Sequence, residues 1–357
     1  LSLKISHFRL LEAPEFVAIS YTWGKDANPR CVTVNECHLE VQGNCWVALS
    51  QCKERRIQKY IWIDSICIDQ SNVEEKSDQV PMMGSIYPQA LRVMVSISQF
   101  QDECMSKPTN DAFLESVEIM AAIISSQEFD LADILMDLEG EKADKVYRLG
   151  VQRFAGQKRL LHEGLSKVAN AQYWTRLWIL QELVKAKQTY LMYYGETVNL
   201  VLLWVLLRIY EDLKEDLETS PDESGDTDQY ISTLRDVLIL AFTRDRDSNK
   251  ELRSAKVYRS LAGVLVRFRY AGCSDPRDRI YGTMSFVESP GKTPLRTDYN
   301  LSTVELAMRL MDYREDMNVV QFVHILVETL RIRVDDLEQF EQSSSSKSTP
   351  LVVGTPL

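Results

Sequence analysis

Apolar runs alternate with polar, turn-forming residues through the first hundred positions, and that alternation predicts strands and helices in turn. Residues 16–20 and 60–63 read as strands rich in aromatic and β-branched side chains. Residues 31–41 read as a hairpin turning at Asn35-Glu36. Asn44 is placed to cap a helix running to about Arg56. Another helix is expected from about Val73, with Val80, Met83, Ile86 and Tyr87 spaced to face a core. Pro81 should kink that helix or mark its true start. Residues 91–97 form a further buried strand pattern. Strand, helix, strand at this spacing means βαβ units, hence an α/β fold with a mainly parallel sheet.

The pattern changes at about 101. From there to 172 the periodicity is helical, roughly over 111–125, 131–138 and 151–168, and reads as an insertion into the α/β core. A strongly patterned helix is expected over 173–186, then a strand over 189–194, a turn at Gly195 and a helix over 200–213. Residues 211–228 hold nine acidic residues against one lysine, with Pro221 and Gly225, and read as a solvated linker. This divides the chain into a core over 1–210, a linker over 211–228, a helical region over 229–342 and a flexible serine-rich tail over 343–357.

Composition narrows the function classes. The chain has 357 residues, 45% of them hydrophobic, enough for a sizeable core. A net charge of −11 argues against a nucleic-acid partner and against adhesion to anionic membranes. The longest apolar run, 200–207, is too short to span a bilayer, and no basic-then-apolar leader opens the chain. Seven cysteines without a Cys-x-x-Cys pair fit reduced thiols and a cytoplasmic setting. The four histidines are scattered, and nothing has the spacing of a metal site.

Candidate chemistry sits where strands end. Ser20, Tyr21, Trp23 and Gly24 close the first strand, and Asp64, Cys67, Asp69 and Gln70 follow the second. In open α/β sheets, ligands bind at the carboxyl ends of strands. The bland alternatives are that Tyr21 and Trp23 cap the core, that Asp64 caps a turn, and that Cys67 is a small buried hydrophobe. On a helix, Trp178 and Glu182 share a face beside the apolar stripe of Leu177, Leu180, Leu183 and Val184. A carboxylate so placed can be desolvated and tuned for chemistry, or can pair on the surface with Lys185. Asp275, Arg277 and Asp278 read as a structural cap and ion-pair clasp around Pro276.

Taken in order, these pieces resemble the fungal heterokaryon incompatibility (HET) domain. Ala18 to Gly24 resembles its opening "ALSYxWG", and Trp62 to Gln70 resembles "WIDxxCINQ", with Asp69 in place of Asn. Glu75, Gln79, Val80, Met83, Ile86, Tyr87, Ala90 and Val93 resemble "ExxxQVxxMxxIYxxAxxV". Arg176, Trp178, Gln181 and Glu182 resemble "RxWxxQE", and Asp275 to Tyr281 resembles "DPRDKVYA", with Asp298-Tyr299 as the "DY" that follows. The usual tryptophan of "VxxWLG" is absent, Val95-Ser96-Ile97-Ser98 standing there.

The resemblance implies a Toll/interleukin receptor (TIR)-like domain, with a flavodoxin-like parallel sheet wrapped by helices. Some TIR-like domains cleave NAD⁺ at the nicotinamide–ribose bond with a glutamate four residues after a tryptophan, a spacing that Trp178 and Glu182 match. It implies Glu182 as the catalytic group. Ser20, Tyr21, Trp23, Gly24, Asp64, Gln70, Arg176 and Trp178 are then substrate-binding, while Cys67, Gln181, Asp275, Arg277 and Asp278 maintain the motifs. NAD⁺ is then a substrate, with no cofactor or metal. Self-assembly on activation and an upstream non-self sensor are the implied partners, and cell death the output. The rival readings are a non-enzymatic self-assembly module and a thiol hydrolase at Cys67.

Overall fold

In a computed structural model the described residues are 1–24, 29–97, 110–129, 134, 140–216, 224–242, 260–269, 271–273, 275–284, 287, 295–314 and 317–347. The chain divides into two compact units, Leu1–Asp245 and Arg246–Leu357.

The first unit is built on a five-stranded sheet. β1 (Ser2–Leu3), β3 (Arg30–Val34) and β4 (Cys37–Val41) form a small separate sheet. β2 (Phe16–Tyr21), β5 (Tyr60–Trp62), β6 (Arg92–Ser96), β7 (Thr189–Tyr193) and β8 (Glu196–Asn199) form the main one, in the order β5-β2-β6-β7-β8. All pairings are parallel except β7 with β8. Counted along the chain this is 2-1-3-4-5, the doubly wound order whose switch point lies between the first and third strands, here β2 and β6. Every residue of β2 is buried, as a strand covered on both faces requires.

Period-two alternation divides β2 between two layers. Val17, Ile19 and Tyr21 join Met94 and Met192 under Cys45, Ala48, Leu49 and Cys52 of helix Gly43–Glu54. On the helical side of the fold, helix Val73–Gln89 packs against the short helix Ile179–Val184. The hairpin turns where expected, with Asn35 and Glu36 at φ 48° and 69°.

Several elements depart from the pattern-based reading. Gln42, not Asn44, caps helix Gly43–Glu54; the Asn44 amide instead donates to the Thr22 carbonyl at 3.0 Å. Asp64 to Cys67 is a short helix rather than a loop. Helix Val73–Gln89 runs through Pro81, its start set by the Asn72 side chain accepting from the Glu74 and Glu75 amides at 3.1 Å. The helix expected over 151–168 is two, Glu141–Phe154 and Lys158–Ala169. Apart from residue 134, the helix expected over 131–138 lies outside the described residues.

The helix expected over 173–186 is a 3₁₀ turn, Gln172–Thr175, then an extended Arg176, then helix Ile179–Val184. Tyr173 and Trp174 are buried in that turn, and the Trp174 indole donates to the Val168 carbonyl at 2.7 Å. Anchoring those two rings breaks the helix and frees Arg176 to extend.

The inserted helices Ala112–Ser126, Glu141–Phe154 and Lys158–Ala169 pack together and against Leu200–Leu213. Of the acidic stretch, 217–223 lies outside the described residues, and helix Ser224–Phe242 packs on Lys158–Ala169 within the first unit.

The second unit is helical in its described residues. Leu261 and Leu265, Ile280, Leu306 and Leu310, and Phe322 and Leu326 form its core, each group from a different helix. Its last helix, Val334–Lys347, extends into the serine run, and 348–357 lies outside the described residues.

Candidate active site

Ser20 and Tyr21 end β2 on opposite faces. Ser20 donates its hydroxyl proton to the Glu182 carboxylate, and the Tyr173 hydroxyl lies 2.6 Å from Ser20 Oγ. With Glu182 ionised, Ser20 gives its only proton to the carboxylate, so Tyr173 is the donor to Ser20. The result is a directed chain, Tyr173 to Ser20 to Glu182. Glu182 is 1% exposed, which excludes the surface ion pair with Lys185 as its setting.

Asp64 stands at the head of its short helix just after β5, and it too is buried. Its carboxylate accepts from the Trp23 indole at 3.0 and 3.2 Å and from the Ser65 amide at 2.7 Å. Gln70 reaches back to donate to the Asp64 carbonyl at 3.1 Å. Arg176 donates to the Tyr21 carbonyl, tying the segment before Glu182 to the end of β2.

Burial pushes Glu182 up to about 7; Asp64 adds to the push, while Arg176 and the Ser20 hydrogen bond pull the other way. Burial also raises Asp64, opposed by Arg176 and the Trp23 indole. Two buried carboxyl groups therefore lie within electrostatic range of one guanidinium. When both ionise, this triad carries a net negative charge in a poorly solvated place, a setting complementary to a cation.

Ser20, Tyr21, Trp23, Asp64, Gln70, Arg176 and Glu182 are thus brought together at the carboxyl edge of the sheet. Trp23 is 44% exposed and Arg176 is half-buried, so these two form a rim over a buried floor; Trp178 is half-buried as well. The Trp178 carbonyl accepts from the Glu182 amide at 3.2 Å, which keeps the two residues one turn apart. Gly24 follows Trp23, half-buried, at the end of a described segment. Gln181 is buried and faces helix Val73–Gln89, where a Cβ on Gly84 would stand 3.0 Å from Gln181 Nε2.

Cys67 lines a different cavity, of about 230 Å³, with Phe8, Trp62, Glu75 and Met82. Burial raises its thiol above the ordinary range, which lowers the thiolate fraction. Asp275, Arg277 and Asp278 lie in the second unit. Arg277 pairs with Asp275 at 2.6 Å and donates to the Tyr299 and Leu301 carbonyls, while Asp278 accepts from the Tyr299 hydroxyl at 2.6 Å. The carboxylate that clasps Arg277 is therefore Asp275. Among the described residues, no group of three or more His, Cys, Asp or Glu could hold a metal ion.

The sequence pattern does not single out Tyr173. It lies nine positions before Glu182, off any helical spacing, and enters the site only because the helix breaks at Arg176.

Residues 16–182, from the start of β2 to Glu182 itself, match the family model described as "Heterokaryon incompatibility protein (HET)". This stretch is similar to a HET domain. The HET match takes in the whole Ser20, Asp64, Arg176 and Glu182 cluster and excludes the Asp275 clasp. The chain is 23% identical over 327 residues to "Heterokaryon incompatibility protein 6, OR allele" of Neurospora crassa, an alignment covering 81% of this chain and 45% of the relative. The chain thus spans under half the length of that relative. No solved structure matches it. No helix among its described residues is long and apolar enough to cross a membrane.

Proposed function

We propose that this chain acts in heterokaryon incompatibility and that its HET domain hydrolyses the nicotinamide–ribose bond of NAD⁺. The observation that carries the chemistry is the buried Glu182 carboxyl, hydrogen-bonded to Ser20 at the carboxyl edge of the sheet and titrating near neutrality. The 2-1-3-4-5 strand order supports reading the sheet as flavodoxin-like and the domain as TIR-like. The incompatibility role is supported by the family match and by the name of the Neurospora relative.

In the proposed reaction the bond between ribose C1′ and the nicotinamide nitrogen breaks. The electron pair leaves with nicotinamide and neutralises its positive charge. The sugar becomes an oxocarbenium-like cation, which the Glu182 carboxylate stabilises. Water adds to C1′ and gives up a proton, leaving ADP-ribose. Asp64 and Gln70 hold polar groups of the substrate, Arg176 a phosphate, and Trp23 and Trp178 stack on its rings. Because Glu182 is 1% exposed, the rim of Trp23 and Arg176 has to part for substrate to enter. Self-assembly triggered by a non-self sensor is the step we assign to that opening.

That same burial favours a second reading, in which Glu182 only anchors the fold and the domain signals by assembly alone. Expression in a fungal host separates the two. The enzymatic reading expects wild type to kill cells as NAD⁺ falls, and Glu182→Gln to do neither. A folded Glu182→Gln protein that still kills with NAD⁺ intact supports the assembly module and overturns the enzyme.

A further inference from the structure

Helix Val73–Gln89 brings one more polar group to the site. Gly84 lets this helix approach the short helix Ile179–Val184 closely. Tyr87 lies one turn further along the same face. Its ring stacks edge-on against Trp62, with centroids 5.4 Å apart, and is fully buried. Its hydroxyl lies within electrostatic range of Glu182, Asp64, Tyr173 and Arg176, the members of the Glu182 site. Yet that hydroxyl has no hydrogen-bond partner among the described residues. Gln181 Oε1, on the facing helix, is in the same condition.

A buried hydroxyl without a partner is costly, and such groups are rare in folded proteins. Phenylalanine would keep the packing on Trp62 and remove the cost. A tyrosine retained there is explained by a ligand that supplies the missing partner, stability being given up for binding.

We propose that the Tyr87 hydroxyl is a ligand-contacting group of the Glu182 site, donating a hydrogen bond to a ribose oxygen of NAD⁺. This rests on the NAD⁺ reading. Burial and the neighbouring carboxyls keep the phenol protonated, so it acts as a donor. It approaches from helix Val73–Gln89, whereas Ser20 approaches from the end of β2. The ribose would then be held between Tyr87 on one side and Glu182 with Ser20 on the other.

Tyr87→Phe deletes this hydroxyl alone. In the free protein the variant is expected to melt at or above the wild-type temperature, by up to about 2–4 °C. In NAD⁺ its ligand-induced rise in melting temperature should be smaller than that of wild type at the same concentration, and nicotinamide release should fall roughly tenfold or more. A variant that melts several degrees below wild type overturns the proposal, since the hydroxyl then has a structural partner such as a buried water. A variant with wild-type NAD⁺ stabilisation and turnover overturns the assignment of Tyr87 while leaving the reaction standing. A wild type that neither binds nor cleaves NAD⁺ overturns the reaction and the role of Tyr87 with it.

Discussion

Ser20 and Glu182 are separated by 162 positions in the chain and joined by a hydrogen bond in the fold. The bond ties the end of β2 to the helix that leads into β7. It fixes which way the carboxyl points, and through Tyr173 it closes a chain of three side chains. Ser20→Ala removes that link. The buried carboxyl loses its donor and Tyr173 loses its partner, so unfolding free energy should drop by about 1–3 kcal/mol. Glu182 should titrate still higher. Urea unfolding measures the first effect, and the infrared carboxyl band followed against pH measures the second.

The raised titration of Glu182 makes stability depend on pH. Its folded value of about 7 lies above the ordinary 4.5, so the folded state binds more protons than the unfolded state between the two. The unfolding free energy must therefore fall as pH rises from about 4.5 to about 7, by on the order of 3 kcal/mol from this group. Asp64 shifts in the same direction and adds to the fall. Glu182→Gln abolishes the Glu182 contribution. Urea unfolding of both proteins at intervals from pH 5 to pH 8 should show a shallower slope for the variant; equal slopes would contradict the assignment.

The inserted helices can be tested at Gly164. A Cβ there would stand 2.8 Å from Phe113 Cα and 2.9 Å from the Ala112 carbonyl, atoms of backbone that cannot swing aside. Alanine in a helix ordinarily gains about 1 kcal/mol over glycine. Gly164→Ala should instead destabilise the first unit by about 1–3 kcal/mol, read from its urea midpoint.

Arg277 tests the second unit separately. Its guanidinium serves Asp275 and the Tyr299 and Leu301 carbonyls at once. Arg277→Ala strands these acceptors and should cost about 2–4 kcal/mol. The expected outcome is a lower melting temperature for the second unit, with the pH dependence attributed to Glu182 unchanged.

How much of this is legible in sequence follows from the range of the forces involved. Strands β2, β5, β6 and β7 and the hairpin at Asn35-Glu36 are local, set by apolar runs and turn chemistry, and the pattern shows them; the short β1 and β8 carry no such run and are not legible. Trp23, Asp64, Arg176 and Glu182 stand out because polar residues at strand ends and beside apolar stripes are conspicuous. Tyr173 and Tyr87 do not, since each looks like core until the fold brings its hydroxyl within electrostatic range of Glu182. The break at Arg176 is equally hidden. Local periodicity favours a continuous helix, and only burial of Tyr173 and Trp174 overrides it. Asn44 has the residue type of a cap, but its partner at Thr22 is a tertiary contact.

Nicotinamide release from NAD⁺, measured at pH 7 on purified wild type and on Glu182→Gln shown to be folded by circular dichroism, is the most direct test. The expected result is release by wild type, in an assembled state if assembly is needed to part the rim, and a loss of at least ~100-fold in the variant. Equal release by both proteins, or none from wild type in any assembled state, would contradict the role assigned to Glu182.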